Sequence, residues 1–106
     1  MPKKKILIAD DDREFLGMLW RALNGAYILR ATTTIEGTGR LIEHFKPDLL
    51  IRGDFKEGDA DAMDLERKIQ MINITVLGRK TPPHIPKQTE NFLTELRAKV
   101  RELLGE

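Results

Sequence analysis

Three consecutive aspartates, Asp10, Asp11 and Asp12, follow a short apolar run, and their carboxylates could bind a metal ion or react with a phosphoryl group. A further aspartate, Asp54, comes just after another apolar run, and Lys87 follows a third short segment. Carboxylate oxygens are the ligands that suit Mg²⁺, and a lysine can pair with carboxylates or with a bound phosphoryl group. One carboxylate could instead be a nucleophile that accepts a phosphoryl group. The residue types therefore indicate magnesium binding or phosphoryl transfer, if these side chains meet in space.

The same residues also have a purely structural interpretation. Asp11 can cap the helix that follows it, with Glu14 three residues later completing a capping box. Asp12 is favoured at the positive end of that helix. Asp54 can be a polar loop residue and Lys87 a solvated lysine. Spacing alone leaves both interpretations open.

The apolar pattern predicts which elements position these residues. Short apolar runs predict buried strands at Ile6–Ala9, Tyr27–Ala31, Leu49–Ile51 and Ile74–Leu77, with a very short fifth strand at His84–Pro86. Strands that alternate with helices form βαβ units, which build a parallel sheet covered by helices on both faces. Functional residues of such sheets lie at the carboxyl ends of the strands, where the candidate residues are placed.

Apolar residues at helical spacing predict the helices between the strands. Leu16, Leu19 and Leu23 mark the first helix, which closes at Gly25. The others are predicted around Leu41–Phe45, over Met63–Ile72 and, as a long last helix, over Phe92–Leu104.

Composition narrows the class of protein. The 106 residues are enough for one domain, which we expect to span 1–106. The 18 Lys and Arg nearly balance the 17 Asp and Glu, which argues against a module that binds nucleic acid by bulk charge. The absence of cysteine excludes disulfides, thiolate metal sites and a cysteine nucleophile. Because the apolar runs are too short for a membrane span or a signal peptide, we expect a cytoplasmic protein.

Five segments in the same order resemble the receiver domain of response regulators in bacterial two-component signalling. They are KKILIADDD, TIEGTGRLIEHFKPDLLI, DFKEGDADAMDLERKI, HIPK and ELRAKVRELLG. The resemblance implies an α/β, flavodoxin-like (βα)5 fold, a doubly wound parallel sheet with strand order 2-1-3-4-5. It also implies a non-enzymatic domain that takes a phosphoryl group from a histidine kinase onto an aspartate, with Mg²⁺ held there.

Residues carried over from this resemblance define the expected site. The acidic pair of the family corresponds to Asp10 and Asp11, and its lysine to Lys87, although the proline that usually follows is Gln88 here. The expected metal ligands are Asp10, Asp11 and Asp54, with Asp54 also the phosphoryl acceptor and Lys87 pairing with the phosphoryl group.

The position of the acceptor is ambiguous by one residue. Counting forward from Pro47 places it at Gly53, whereas counting backward from DADAMDLERKI places it at Asp54. A bulge at Gly53 would let Asp54 point into the site. A regular strand would place Gly53 there and leave no acceptor, because a one-residue shift turns a side chain to the other face.

Two further departures from the family pattern weaken the expectation that phosphorylation switches this domain between two states. The Ser/Thr position after the fourth strand is Gly78, which has no hydroxyl. Only Arg79–Pro83 separate the fourth and fifth strands, so the fourth helix is expected to be shortened or missing. The strip of sheet left uncovered would then be covered by the last helix, by a second copy of the chain in a homodimer or by another signalling protein. Exposed apolar area of this kind usually marks an interface.

Three functions remain open on the sequence. The first is a phosphoryl-accepting receiver, partnered by a histidine kinase or other signalling protein. The second is a pseudo-receiver, in which the fold serves as an interaction module without phosphorylation. The third is a small magnesium-dependent phosphohydrolase, which is disfavoured because the chain has no cap domain and no convincing second acid–base group.

Overall fold

Seven elements make up the part of the chain that the computed structural model describes, residues 3–53, 70–73 and 91–106. They are β1 (Lys5–Ala9), α1 (Arg13–Leu23), β2 (Ile28–Thr32), α2 (Ile35–Phe45), β3 (Leu49–Arg52), β4 (Gln70–Asn73) and α3 (Phe92–Leu104). Within these ranges no helix has the length and apolarity needed to cross a membrane.

The four strands form one parallel sheet in the order β2-β1-β3-β4. At the centre of the sheet, Leu7 of β1 pairs with Arg30 of β2 on one side and with Leu50 of β3 on the other. The parallel sheet with flanking helices and the order 2-1-3-4 are therefore confirmed. The predicted fifth strand, His84–Pro86, lies outside the described residues, as does the segment between it and the fourth strand.

The strands read as continuous apolar runs because the central strands are buried on both faces. Ile6 and Ile8 pack in the larger core cluster with side chains of α1 and α3. Leu7 and Ala9 point to the other face, where they pack with Ile42 of α2. The alternation of faces along β1 decides which face the residues after it can occupy.

Asp12 is the N-cap of helix α1, and its Oδ1 accepts hydrogen bonds from the backbone N–H groups of Glu14 and Phe15 at 3.0 and 3.2 Å. The interpretation of Asp11 as the cap is therefore wrong by one residue. Thr34 is the N-cap of helix α2, and its Oγ1 accepts a hydrogen bond from the N–H of Gly37 at 2.9 Å. A threonine hydroxyl therefore satisfies one of the free N–H groups at the start of α2.

The fourth strand starts earlier than the sequence predicted. Ile72 pairs with Ile51 inside the sheet and is fully buried, so the prediction of a helix extending to Ile72 is wrong. The predicted strand residues 74–77 lie outside the described residues. Apolar residues at Ile69 and Ile72 fit helical spacing, but a short apolar run fits a strand equally well, and here β3 pairs with Gln70–Asn73.

One side-chain hydrogen bond joins the segment after α3 to the residue just before β2. The hydroxyl of Tyr27, which is buried, donates to Oε1 of Glu106 at 2.7 Å. Burial raises the pKa of Tyr27 from its ordinary 10.0 to about 12, and the hydrogen bond and charge of Glu106 act in the same direction. The charge of Arg101 lowers this pKa. The Tyr27 hydroxyl is therefore neutral, and donates its hydrogen bond, over the whole physiological pH range.

This shift predicts a loss of stability at high pH. Between its ordinary pKa of 10.0 and about 12 the folded state keeps the Tyr27 proton while the unfolded state loses it. The free energy of unfolding should therefore fall as the pH rises through this window. Tyr27 is the only tyrosine, so tyrosinate absorbance reports on it alone. We expect a midpoint of about 12 in the folded protein. A midpoint at the ordinary value, or the same pH dependence of unfolding in Tyr27→Phe, would contradict the assignment.

Candidate functional site

Asp10 is the first residue after β1 and is completely buried at the carboxyl edge of the sheet. Its backbone N–H donates to the carbonyl of Thr32 at 3.2 Å, which extends the pairing with β2 by one residue. Its side-chain Oδ1 accepts a hydrogen bond from the N–H of Asp12 at 2.9 Å. Backbone and side chain together fix the direction of this carboxylate.

Gly53 lies beside Asp10 on the neighbouring strand. The pairs Ile8–Ile51 and Ala9–Arg52 are in regular parallel register, and the N–H of Gly53 donates to the carbonyl of Ala9 at 2.7 Å. The strand is therefore regular from Leu49 as far as the amide of Gly53. The ladder brings Gly53 level with Asp10, at the place that forward counting assigns to the acceptor.

The position of Gly53 has no room for a side chain. A Cβ built there would lie 2.7 Å from Cγ and 3.1 Å from Cβ of Asp10, and it would overlap Oδ2 of the same carboxylate. The Asp10 carboxylate thus packs directly against the backbone of Gly53. A glycine is needed here because of this close approach.

The three consecutive aspartates have three different environments. Asp10 is buried, Asp11 is half-buried, and Asp12 is exposed and engaged in capping α1. Asp10 and Asp11 offer the hard oxygen donors that Mg²⁺ prefers, so the chemistry of these two residues fits that ion. The described ranges contain no group of three His, Asp or Glu side chains that could hold a metal. The third expected ligand, Asp54, lies outside those ranges, as do Lys87 and Gly78.

A buried arginine, which the sequence pattern did not indicate, also lies at this edge of the sheet. Arg52, the last residue of β3, is 1% exposed, and its Nη1 lies 3.4 Å from the carbonyl oxygen of Gly53. Arg52 shares a sheet face with Leu50, whereas Asp10 and Gly53 face the α1 side. The signal in the sequence was a charged residue that ends the apolar run of Leu49–Ile51.

Solved structures of bacterial receiver domains superpose on nearly the whole chain. The response regulator domain of Thermotoga maritima CheB does so with a TM-score of 0.78 and 14% identity, covering 98% of both chains. This chain has the fold of a receiver domain. The signal receiver domain of a signal transduction histidine kinase from Syntrophus aciditrophicus gives a TM-score of 0.78 at 21% identity, covering 96% of this chain and 90% of its own.

A third receiver domain superposes on this chain about as closely as these two. The signal receiver domain of an HD domain-containing protein from Pseudomonas fluorescens has a TM-score of 0.77 at 18% identity, covering 97% of this chain and 95% of its own. No protein-family model matches the sequence, and no curated protein matches it. The likeness to receiver domains thus concerns the fold, and it confirms the fold that the sequence resemblance implied.

Proposed function

We propose that this receiver-fold chain is a signalling domain of a two-component system that acts through protein–protein contact and is not an enzyme. The observation that carries the proposal is Asp10, a fully buried carboxylate at the carboxyl end of the central strand β1, with Asp11 next to it. In open parallel sheets this edge is where ligands bind. The domain would span 1–106 and work in the cytoplasm with a histidine kinase or another signalling protein.

In this proposal Asp10, Asp11 and Asp54 hold Mg²⁺, Asp54 accepts the phosphoryl group and Lys87 pairs with it. Bound Mg²⁺ would neutralise negative charge on the carboxylates and on the phosphoryl oxygens. The chain contributes the orientation of Asp10, which the N–H of Asp12 fixes at 2.9 Å. A carboxylate that is held before the ligand arrives needs no reorganisation when it binds.

Gly53 supports a second candidate, the pseudo-receiver. The regular ladder sets a glycine beside Asp10, and the Asp10 carboxylate fills the space that a side chain at 53 would need. A site of this shape is suited to a domain that signals without a phosphoryl group, through its partners or through a homodimer. The receiver domains that superpose on the chain give the phosphohydrolase hypothesis no support.

Intact-mass spectrometry after incubation with Mg²⁺ and a small phosphodonor tests the first candidate. A mass increase of one phosphoryl group is the result expected for this candidate, in which Asp10 and Asp11 would hold the cation that phosphoryl acceptance by Asp54 requires. The gain should be absent in Asp54→Asn and should need Mg²⁺. The matched control is Asp12→Asn, which keeps a good capping side chain for α1 and should still gain the group.

Each outcome decides between the two candidates. A gain that Asp54→Asn abolishes supports phosphoryl acceptance on Asp54. No gain, under conditions in which an active receiver domain is modified, rejects phosphoryl acceptance and leaves the pseudo-receiver. A gain that persists in Asp54→Asn would contradict the assignment of the acceptor.

A further inference from the structure

A cavity of about 440 Å³ lies at the opposite edge of the sheet from Asp10. It is lined by residues at the end of α1, residues just before β2, and residues in and after α3. Ala22, Leu23 and Ala26 provide its apolar surface. Its volume is within the range of small-molecule sites in proteins.

Two arginines of α3 line the same cavity. Arg97 and Arg101 are four residues apart, so their side chains leave the same face of the helix on successive turns. Both residues are exposed. Nη2 of Arg97 lies 3.5 Å from the carbonyl oxygen of Ala22, which holds this guanidinium group across the gap between α3 and α1. The wall contributed by α3 is therefore cationic.

The chain itself shows where a carboxylate is accepted. Glu106 lines the cavity, and its Oε1 accepts the hydrogen bond from Tyr27 at 2.7 Å. Tyr27 is a buried neutral donor, and such a donor is stable only when it has an acceptor. The cavity therefore offers a hydroxyl that needs an acceptor oxygen, guanidinium groups along one wall, and an apolar surface. An amphipathic acid matches all three, because it has a carboxylate and an apolar body.

We propose that this cavity binds a small organic acid, whose carboxylate replaces that of Glu106 at the Tyr27 hydroxyl. The apolar body of the ligand packs on Ala22, Leu23 and Ala26, and the guanidinium groups of Arg97 and Arg101 neutralise its charge. This site is independent of the acidic edge at Asp10 and of whether Asp54 is phosphorylated.

Titration of ¹⁵N-labelled protein with benzoate tests the proposal. We expect shifts of the amide signals of residues 22–27 and 97–106 that saturate with one site. Glu106→Ala removes the competing carboxylate and should tighten benzoate binding about tenfold. Arg97→Gln with Arg101→Gln should weaken it about tenfold, because the charge-assisted contacts are lost.

Controls separate this site from general attraction between charges. Lys99→Gln removes a cation of α3 that pairs with Glu102 at 3.0 Å, and it should leave benzoate binding unchanged. Benzamide, which has no charge, should bind at least tenfold more weakly than benzoate. Inorganic phosphate, which has no apolar body, should also bind more weakly.

Three results would overturn the proposal. They are equal binding of phosphate and benzoate, the same affinity in Glu106→Ala as in the wild type, and no loss of affinity in the double arginine variant. The Glu106→Ala result is the sharpest. If Glu106 were only a structural contact of Tyr27, its removal would loosen this region and would not improve benzoate binding.

Discussion

Gly53→Ala should lower the free energy of unfolding by about 2 kcal/mol, which is typical of overpacking in a filled interior. The new methyl group would lie 2.7 Å from Cγ of Asp10, closer than atoms in contact can approach. Asp10 is completely buried and its Oδ1 is held by the N–H of Asp12, so it cannot turn away without losing that hydrogen bond. Urea denaturation followed by circular dichroism measures the effect.

Gly17→Ala is the matched control for this change. Gly17 is inside α1, and a Cβ there would meet only Nη1 of Arg21, at 3.7 Å. Alanine favours a helix over glycine by about 0.5–1 kcal/mol, so this variant should be more stable than the wild type. The same substitution should thus lower the free energy of unfolding at Gly53 and raise it at Gly17. The difference depends on the space around each Cα.

A double-mutant cycle identifies the collision partner. If Asp10 is what a side chain at position 53 meets, Asp10→Ala should remove most of the cost of Gly53→Ala. The two substitutions should then be strongly non-additive. Additive effects, or a Gly53→Ala protein as stable as the wild type, would contradict the close approach of Asp10 to the backbone of Gly53.

Leu96→Ala should have the largest effect on stability, a loss of about 3 kcal/mol. Leu96 is fully buried and is the central residue of the apolar face of α3, between Phe92 and Val100. These side chains pack in the same core cluster as Ile8 of β1. Truncation removes buried carbon and leaves a cavity that the rigid sheet cannot close.

Leu93→Ala, on the same helix, separates burial from helix propensity. Leu93 packs only partly buried against the core cluster, so its truncation should cost clearly less than that of Leu96. Both changes introduce alanine into α3, so any effect on helix formation is shared. Equal losses for the two variants, measured by urea denaturation, would show that α3 does not dock through Leu96.

The strands of the sheet were predictable because their sequence follows from their position. Ile6–Ala9 and Leu49–Ile51 are continuous apolar runs, and both are buried on two faces in the centre of the sheet. Each run needs no information from elsewhere in the chain to be recognised. The placement of Asp10 at the carboxyl edge follows directly, since it comes one residue after such a run.

The boundaries of local elements were less predictable where two local solutions compete. Either Asp11 or Asp12 can cap a helix, and the structure uses Asp12 because Asp10 already accepts the amide of Asp12 and so sets the turn. Ile72 fits helical or strand spacing equally well. Ile72 adopts the strand conformation because it pairs with Ile51 of β3, and that pairing is a long-range contact.

Local sequence patterns were enough to predict the parallel sheet and the acidic residues after β1, and the resemblance to receiver domains supplied the order of the strands. The contact of Gly53 with the carboxylate of Asp10 could not be predicted in this way, because it depends on the register between β1 and β3. The same holds for the hydrogen bond between Tyr27 and Glu106, which are 79 positions apart in the chain. Local patterns carry propensity and periodicity, whereas a contact between distant residues exists only after the helices have packed on the sheet.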